Sequence, residues 1–181
     1  MTVQIRAREP RDDAIVERLL LDSWADTMVV SRGLLQDARL LPGFIAVDGG
    51  TPVGLVTYRV HEGASPTGSL ELEVVTIDAV VGRRGIGSAL LQAAFAQAAH
   101  EHCRRVWLIT TNDNVAAQGF YARNGMRLAA VHADALDRYR ELKPTIPSHA
   151  DNGVPTRDEW EYELLLDPDV HGSGVNMQTG V

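Results

Sequence analysis

Val80-Val81-Gly82-Arg83-Arg84-Gly85-Ile86-Gly87-Ser88-Ala89-Leu90-Leu91 is the stretch on which the reading of this chain turns. It ends a long β-prone run, Leu70 to Val81. It opens an alanine-rich segment, Ser88 to about His100, whose Leu90, Leu91, Ala94, Phe95 and Ala98 recur at helical spacing. A strand therefore passes through a glycine-rich turn straight into a helix. The first backbone N–H groups of such a helix have no intrahelical partner and carry the positive end of its dipole, which makes them a seat for phosphate. Gly85 and Gly87 lack a Cβ and let a ligand reach the backbone, while Arg83 and Arg84 add fixed positive charge.

Three phosphate-binding turns share this outline. A P-loop needs a lysine directly after its glycines, and none stands here. A dinucleotide fingerprint needs a third glycine where this chain has Leu90, and an acid at the end of the next strand, where it has Trp107 to Thr110. An acyl-CoA turn (Arg or Gln, two residues, Gly, one residue, Gly or Ala) is matched in its glycines by Gly85 and Gly87, with Gly82 at the Arg or Gln position. The plain alternative is a connection that binds nothing.

Working outward, Val3 to Arg8 alternates apolar and polar side chains and reads as a strand. Pro10 opens a helix striped by Ile15, Val16, Leu19 and Leu20, and Ser23 to Ala38 reads as helical pieces broken near Ser31-Arg32-Gly33. Phe44 to Asp48 and Val53 to His61 form a hairpin about Gly49-Gly50-Thr51-Pro52, followed by a loop from Glu62 to Ser69. Beyond the alanine-rich helix, Val106 to Thr110 is a short strand, and Thr111-Asn112-Asp113-Asn114 supplies turn and cap chemistry for a helix from Val115 to Arg123 that Asn124-Gly125 closes. Met126 to His132 is a strand and Ala133 to Leu142 a helix. Pro144, Pro147 and Pro155 keep Lys143 to Arg157 irregular, and Glu159 to Leu166 is the last strand. This order predicts one α/β domain over residues 1–166, a mixed sheet flanked by helices, with a polar tail over 167–181.

Composition narrows the partners. The 181 residues are 45% hydrophobic and 23% charged, which excludes disorder for the body of the chain. Lys plus Arg number 17 against 24 Asp plus Glu, a net charge of −7 that argues against a nucleic-acid partner. One cysteine, Cys103, excludes an internal disulfide and a multi-cysteine zinc site, and no histidine pair or acidic calcium loop implies a metal. The first residues hold no apolar signal segment, and no run approaches the roughly 18 apolar residues of a bilayer span, so no membrane partner is expected and the cytoplasm is the expected location. An exposed final strand would let two chains pair as a homodimer.

With Asn114 and Tyr121 added, the chain resembles the GNAT-type N-acetyltransferase superfamily. The matching parts are the strand ending Val75-Thr76-Ile77, the turn from Arg83 to Leu91, and Asn114 followed by Ala117, Phe120-Tyr121 and Asn124-Gly125-Met126, with strand and helix order agreeing from Val3 to about Leu166. The resemblance implies a sheet splayed between its fourth and fifth strands, with acetyl-CoA as cosubstrate lying in the splay. It implies that the backbone around Val75 to Ile77 pairs with the pantetheine arm, that Arg83, Arg84, Gly85, Ile86, Gly87 and Ser88 cradle the pyrophosphate, and that Asn114 contacts the cofactor arm. The implied activity is direct acetyl transfer to a primary amine of a small-molecule or peptide acceptor. The alternative is a non-catalytic acyl-CoA sensor or interaction module on the same fold.

The resemblance also makes Tyr121, two helical turns after Asn114, the acid that protonates the leaving thiolate; the other reading is a tyrosine packed under the sheet. Glu71 and Glu73 share one strand face, and a carboxylate can take the proton that an alkylammonium must lose before attack. Glu71 aligns with the base of some relatives, and Glu73, nearer the acyl end, is the preferred one; two exposed strand acids are the ordinary alternative. His132 and Asp113 are lesser candidates. Cys103 reads as structural, which leaves direct attack of the amine on the thioester. Trp24 with Ser31-Arg32, and the proline-stiffened segments Lys143 to Pro147 and Val154 to Glu159, are candidate walls of an acceptor pocket.

Overall fold

The computed structural model describes residues 3–63, 68–80 and 84–167. In chain order these form β1 (Gln4–Ala7), α1 (Asp13–Trp24), β2 (Met28–Ser31), β3 (Leu34–Asp37), β4 (Gly43–Asp48), β5 (Thr51–Glu62), β6 (Leu70–Ala79), α2 (Ile86–His100), β7 (Arg105–Thr111), α3 (Val115–Arg123), β8 (Arg127–His132), α4 (Ala135–Leu142) and β9 (Glu159–Leu165). One sheet runs β1-β4-β5-β6-β7-β9-β8, and β2 pairs with β3 outside it. Neighbours are antiparallel except β6 and β7, which are parallel because α2 carries the chain back across the sheet between them. This is the mixed α/β sheet that the element order predicts.

The sheet splits where it matters. Strand β6 runs from Leu70 to Ala79, but β7 pairs with it only from Glu71↔Arg105 to Val74↔Leu108. On the other side, β5 and β6 shift register between Thr57↔Thr76 and Tyr58↔Val74, which leaves Val75 as an extra residue. A bulge bends its strand and increases its twist. Here it turns β6 away from β7. It also changes which side chains meet which layer: Leu72 and Val74 pack toward α2, beyond the bulge Ile77 and Ala79 do so, and Val75 joins the α1 layer.

The two faces have separate cores. Leu90, Leu91, Ala94, Phe95 and Ala98 of α2 pack with Val56, Tyr58, Val74, Val106 and Leu108 on one face. Val16, Leu19 and Leu20 of α1 pack with Ala38, Ile45, Leu55 and Val75 on the other. The α2 stripe is the one its spacing predicts. No helix among the described residues is long and apolar enough to cross a membrane.

Two expectations need correction. Residues 28–37 are a β-hairpin, not helical pieces: Val29 and Val30 are β-branched, and Arg32-Gly33 takes left-handed φ values of 48° and 77°, the turn that suits a tight hairpin. The final strand is not exposed either. β9 lies between β7 and β8, so the sheet edges are β1 and β8 and pairing of two chains through β9 is ruled out. Most of the expected tail, residues 168–181, lies outside the described residues.

Asp12, at the entry to α1, is 2% exposed and accepts from Arg6 Nη1 at 2.6 Å, Arg6 Nη2 at 2.7 Å and the Glu9 N–H at 2.8 Å. The Arg6 hydrogen bonds hold its carboxyl down at about 2. A carboxyl depressed by folding adds stability above its unfolded pKa near 4 and loses it as pH falls toward 2. Asp12→Asn is expected to cost about 1–2 kcal/mol at pH 7, allowing for the partly exposed Arg6, and to flatten the stability loss between pH 4 and 2 in denaturant titrations.

Candidate active site

Helix α2 starts at Ile86 with no side-chain cap among the described residues. Gly85 is the N-cap at φ 74°, a conformation that favours glycine, and has no side chain to cap with. A Cβ built there meets no atom within 4 Å, whereas one at Gly87 would lie 3.3 Å from the Phe120 ring. Gly85 thus keeps the approach to the helix end open, and Gly87 lets α2 and α3 close on each other. Arg84 is half exposed and pairs with Asp48 at 2.8 Å. Gly82 and Arg83 lie outside the described residues.

The gap between β6 and β7 opens beside this helix end. From Val75 to Ile77, the edge of β6 that faces β7 has no strand against it among the described residues. On the far side of the gap, Asn114 caps α3 by accepting from the Ala117 N–H at 3.1 Å. Tyr121 follows on the same helix, 7% exposed, its ring centroid 5.7 Å from that of Tyr162 and 5.4 Å from that of Phe120. Tyr162 pairs with Leu108, the last residue of β7 bonded to β6. Tyr121 therefore stands where the gap begins. Burial pushes its phenol up to about 12, so it stays protonated and a donor at neutral pH.

The opposite face of the sheet is polar and almost as buried. Glu73, 1% exposed, accepts from Arg59 Nη2 at 2.7 Å and Gln36 Nε2 at 3.4 Å. Glu71 meets Arg105 at 3.4 Å. Neither is an exposed strand acid. Next to them Trp107, 2% exposed, lies opposite Glu73 on one side and Glu163 on the other. Arg32 and Arg105 stand 5.5 and 5.9 Å from its ring centroid, and His61 meets its edge. Arg105 also holds Glu161 and Glu163. Burial alone would raise the Glu161 carboxyl, but hydrogen bonds from His132 and Arg105 overcome that and hold it below its usual range. His132, with Nε2 3.0 Å from Glu161, is a partner of that network.

The β2–β3 hairpin and the irregular segment 143–158 wall this face. Glu159, 1% exposed, accepts from the Arg32 N–H at the hairpin tip and from the Tyr139 hydroxyl on α4, each at 3.1 Å. Burial pushes its carboxyl above the usual range. Lys143 ties Asp26 at 3.1 Å and the Met28 carbonyl at 2.5 Å. Asn112 pins the other segment, accepting from the Arg157 and Asp158 N–H groups and donating to the Pro155 carbonyl at 2.8 Å. Trp24 is 45% exposed at the end of α1 and takes no part in these contacts.

The structure places Glu71, Glu73, Asn114 and Tyr121 about one gap and its floor; sequence reasoning names Glu159 only as the end of a wall segment and misses Glu161, Arg59, Trp107 and Tyr139. The signal for the acids was Glu159-Trp160-Glu161-Tyr162-Glu163, whose period of two sets three carboxylates on one strand face. Asp113 has a buried carboxylate oxygen but stands apart from the floor cluster. Cys103 is buried, its thiol pushed up to about 11 by burial, as befits a structural residue. Among the described residues no cluster of metal-ligating side chains forms.

The comparisons agree with this geometry. Residues 7–126 match the acetyltransferase (GNAT) family. The Bacillus subtilis (strain 168) protein YdhI is 36% identical over 162 residues, spanning 86% of this chain and 96% of its own. The chain belongs to the GNAT acetyltransferase family. An IAA acetyltransferase from Bacillus cereus ATCC 14579 superposes with a TM-score of 0.69 at 21% identity, over 91% of this chain and 100% of that one. A Bacillus subtilis acetyltransferase solved in complex with CoA superposes at 0.64 and 17% identity, over 92% of this chain and 100% of that one. The expected cosubstrate agrees with that neighbour's ligand.

Removing the Glu159 carboxylate strands the buried Tyr139 hydroxyl and the part-buried Arg32 N–H. Glu159→Ala is expected to cost about 1–3 kcal/mol and to speed amide exchange across 28–37 in mass-spectrometric hydrogen exchange, with α2 unchanged.

Proposed function

We propose that the chain transfers the acetyl group of acetyl-CoA directly to a primary amine of a small-molecule or peptide acceptor. The observation that carries this reading is the unpaired edge of β6 from Val75 to Ile77, lying between an uncapped helix start at Gly85 and a buried phenol at Tyr121. An unpaired strand edge offers amide donors and carbonyl acceptors to an extended amide-bearing arm, as a β-strand would. The N–H groups of Ile86, Gly87 and Ser88 receive the pyrophosphate charge, with Arg84 beside them and Arg83 preceding them. The Asn114 Oδ1 is occupied by its cap, which leaves Nδ2 as the donor for the arm. Residues 1–166 carry the whole of this activity.

The chemistry follows from who can hold a proton. The amine nitrogen attacks the thioester carbonyl, a tetrahedral adduct forms, and the carbon–sulfur bond breaks as CoA leaves as a thiolate. Tyr121, held near 12, lies several units above a thiol near 8.5, so full proton transfer to sulfur is uphill and its part is to donate a hydrogen bond to the sulfur as charge develops. The proton released by the amine leaves toward Glu73 through water. Glu73 is ion-paired with Arg59 Nη2 at 2.7 Å, which fixes its carboxylate on the floor beside the gap. Glu71, one pleat further from the gap and paired with Arg105, is the second candidate for this role.

Mixing the protein with acetyl-CoA and a panel of amines while following free thiol tests the reading. Thiol release above hydrolysis is expected with at least one amine. Tyr121→Phe should lower kcat roughly 10–100-fold, the value of a hydrogen bond to charge, with the KM for acetyl-CoA unchanged. Tight CoA binding without turnover on any amine would select a sensor instead, and full activity of Tyr121→Phe would remove the phenol from the mechanism.

A further inference from the structure

The charges on the acceptor face do not match the simplest idea, a pocket that draws in a polycation. Its carboxylates already have guanidinium partners: Glu73 has Arg59, Glu71 and Glu161 have Arg105, and Glu163 has both Arg105 and Arg127. Glu159 is bound by the Arg32 N–H and the Tyr139 hydroxyl and sealed at 1% exposure. None of these acids is left over for a second ammonium.

One cation is only loosely paired. The guanidinium of Arg32 has Glu161 at 3.7 Å, but that carboxylate is already held by Arg105 and by His132 at 3.0 Å. The Arg32 side chain is 47% exposed. Its backbone takes φ 48°, unusual for a residue with a side chain, and its N–H is tied to Glu159, so the tip is fixed over the sheet with the guanidinium 5.5 Å from the Trp107 ring centroid. A second observation points the same way. Trp107 Nε1 and Arg59 Nε are buried donors without an acceptor among the described residues, Gln36 Oε1 beside them is a buried acceptor without a donor, and all three belong to the floor beneath that tip. Buried donors without partners are costly, and a group rich in lone pairs satisfies them.

We infer that the acceptor amine carries a carboxylate, as a free amino acid does, and that Arg32, stacked over Trp107, is the specificity-determining residue that receives it. The inference rests on the acetyl-transfer reading for which end of the ligand is the amine, and it names what lies at the other end. An amino acid keeps its carboxylate on the Arg32 side while its amine faces the gap. The matching amide lacks the charge, and spermidine presents a second cation to Arg32.

The test compares free L-amino acids, their α-amides, n-butylamine and spermidine. Binding is read by tryptophan fluorescence in the presence of CoA, which allows no turnover, and transfer is read by thiol release with acetyl-CoA. A free amino acid is expected to bind at least about tenfold more tightly than its amide, the scale of a charged hydrogen bond. Arg32→Gln should abolish that ratio and Arg32→Lys restore part of it. The KM for acetyl-CoA and the thermal midpoint should stay unchanged, because the backbone tie to Glu159 survives. A preference for spermidine or n-butylamine, an unchanged ratio in Arg32→Gln, or no binding of any amino acid overturns the inference. Arg32-dependent binding of an amino acid without thiol release upholds the ligand class and removes the transfer reading instead.

Discussion

The structure depends on one extra residue in one strand. Val75 has no partner of its own on β5, and the bulge it makes ends the ladder between β6 and β7 after Val74 and Leu108. Without it a parallel pair of that length would continue, its backbone groups would satisfy one another, and the sheet would hold no polar slot. The same bulge carries Val75 into the α1 core and sends Ile77 and Ala79 to the α2 core, so both layers lock the bend in place.

The slot joins two unlike surfaces. On one side stand the uncapped start of α2, Asn114 and the buried Tyr121, an arrangement of donors suited to a phosphorylated, amide-rich arm and a sulfur anion. On the other stands a floor of paired carboxylates and guanidiniums around Trp107, covered by the β2–β3 hairpin. Glu159 links that cover to the sheet by binding both the hairpin tip and α4.

Much of this was legible in the sequence because it is local. The strand–glycine–helix passage, the stripe of α2, and the cap chemistry within residues 111–114 each depend on neighbours a few residues away, and periodicity or turn chemistry reports them, although the capping side chain is that of Asn114 where Asp113 was expected. What was not legible depends on distant partners. Nothing local says that Met28 to Ser31 will pair with Leu34 to Asp37 rather than continue helical, because the positive φ at Arg32 is held by Glu159, 127 residues on. Nor can alternation alone say that Glu159–Leu165 slips between β7 and β8. That placement buries Glu159 and Glu161 and turns what would have been an edge into the floor of the site.

Hydrogen exchange with and without saturating CoA, resolved to single amides, tests the central claim most directly. The account predicts that amides from Val75 to Ile77 and from Ile86 to Ser88 gain protection together, while β4 and β8 do not change. CoA that binds without protecting the β6 edge, or that fails to bind at millimolar concentration, would contradict it.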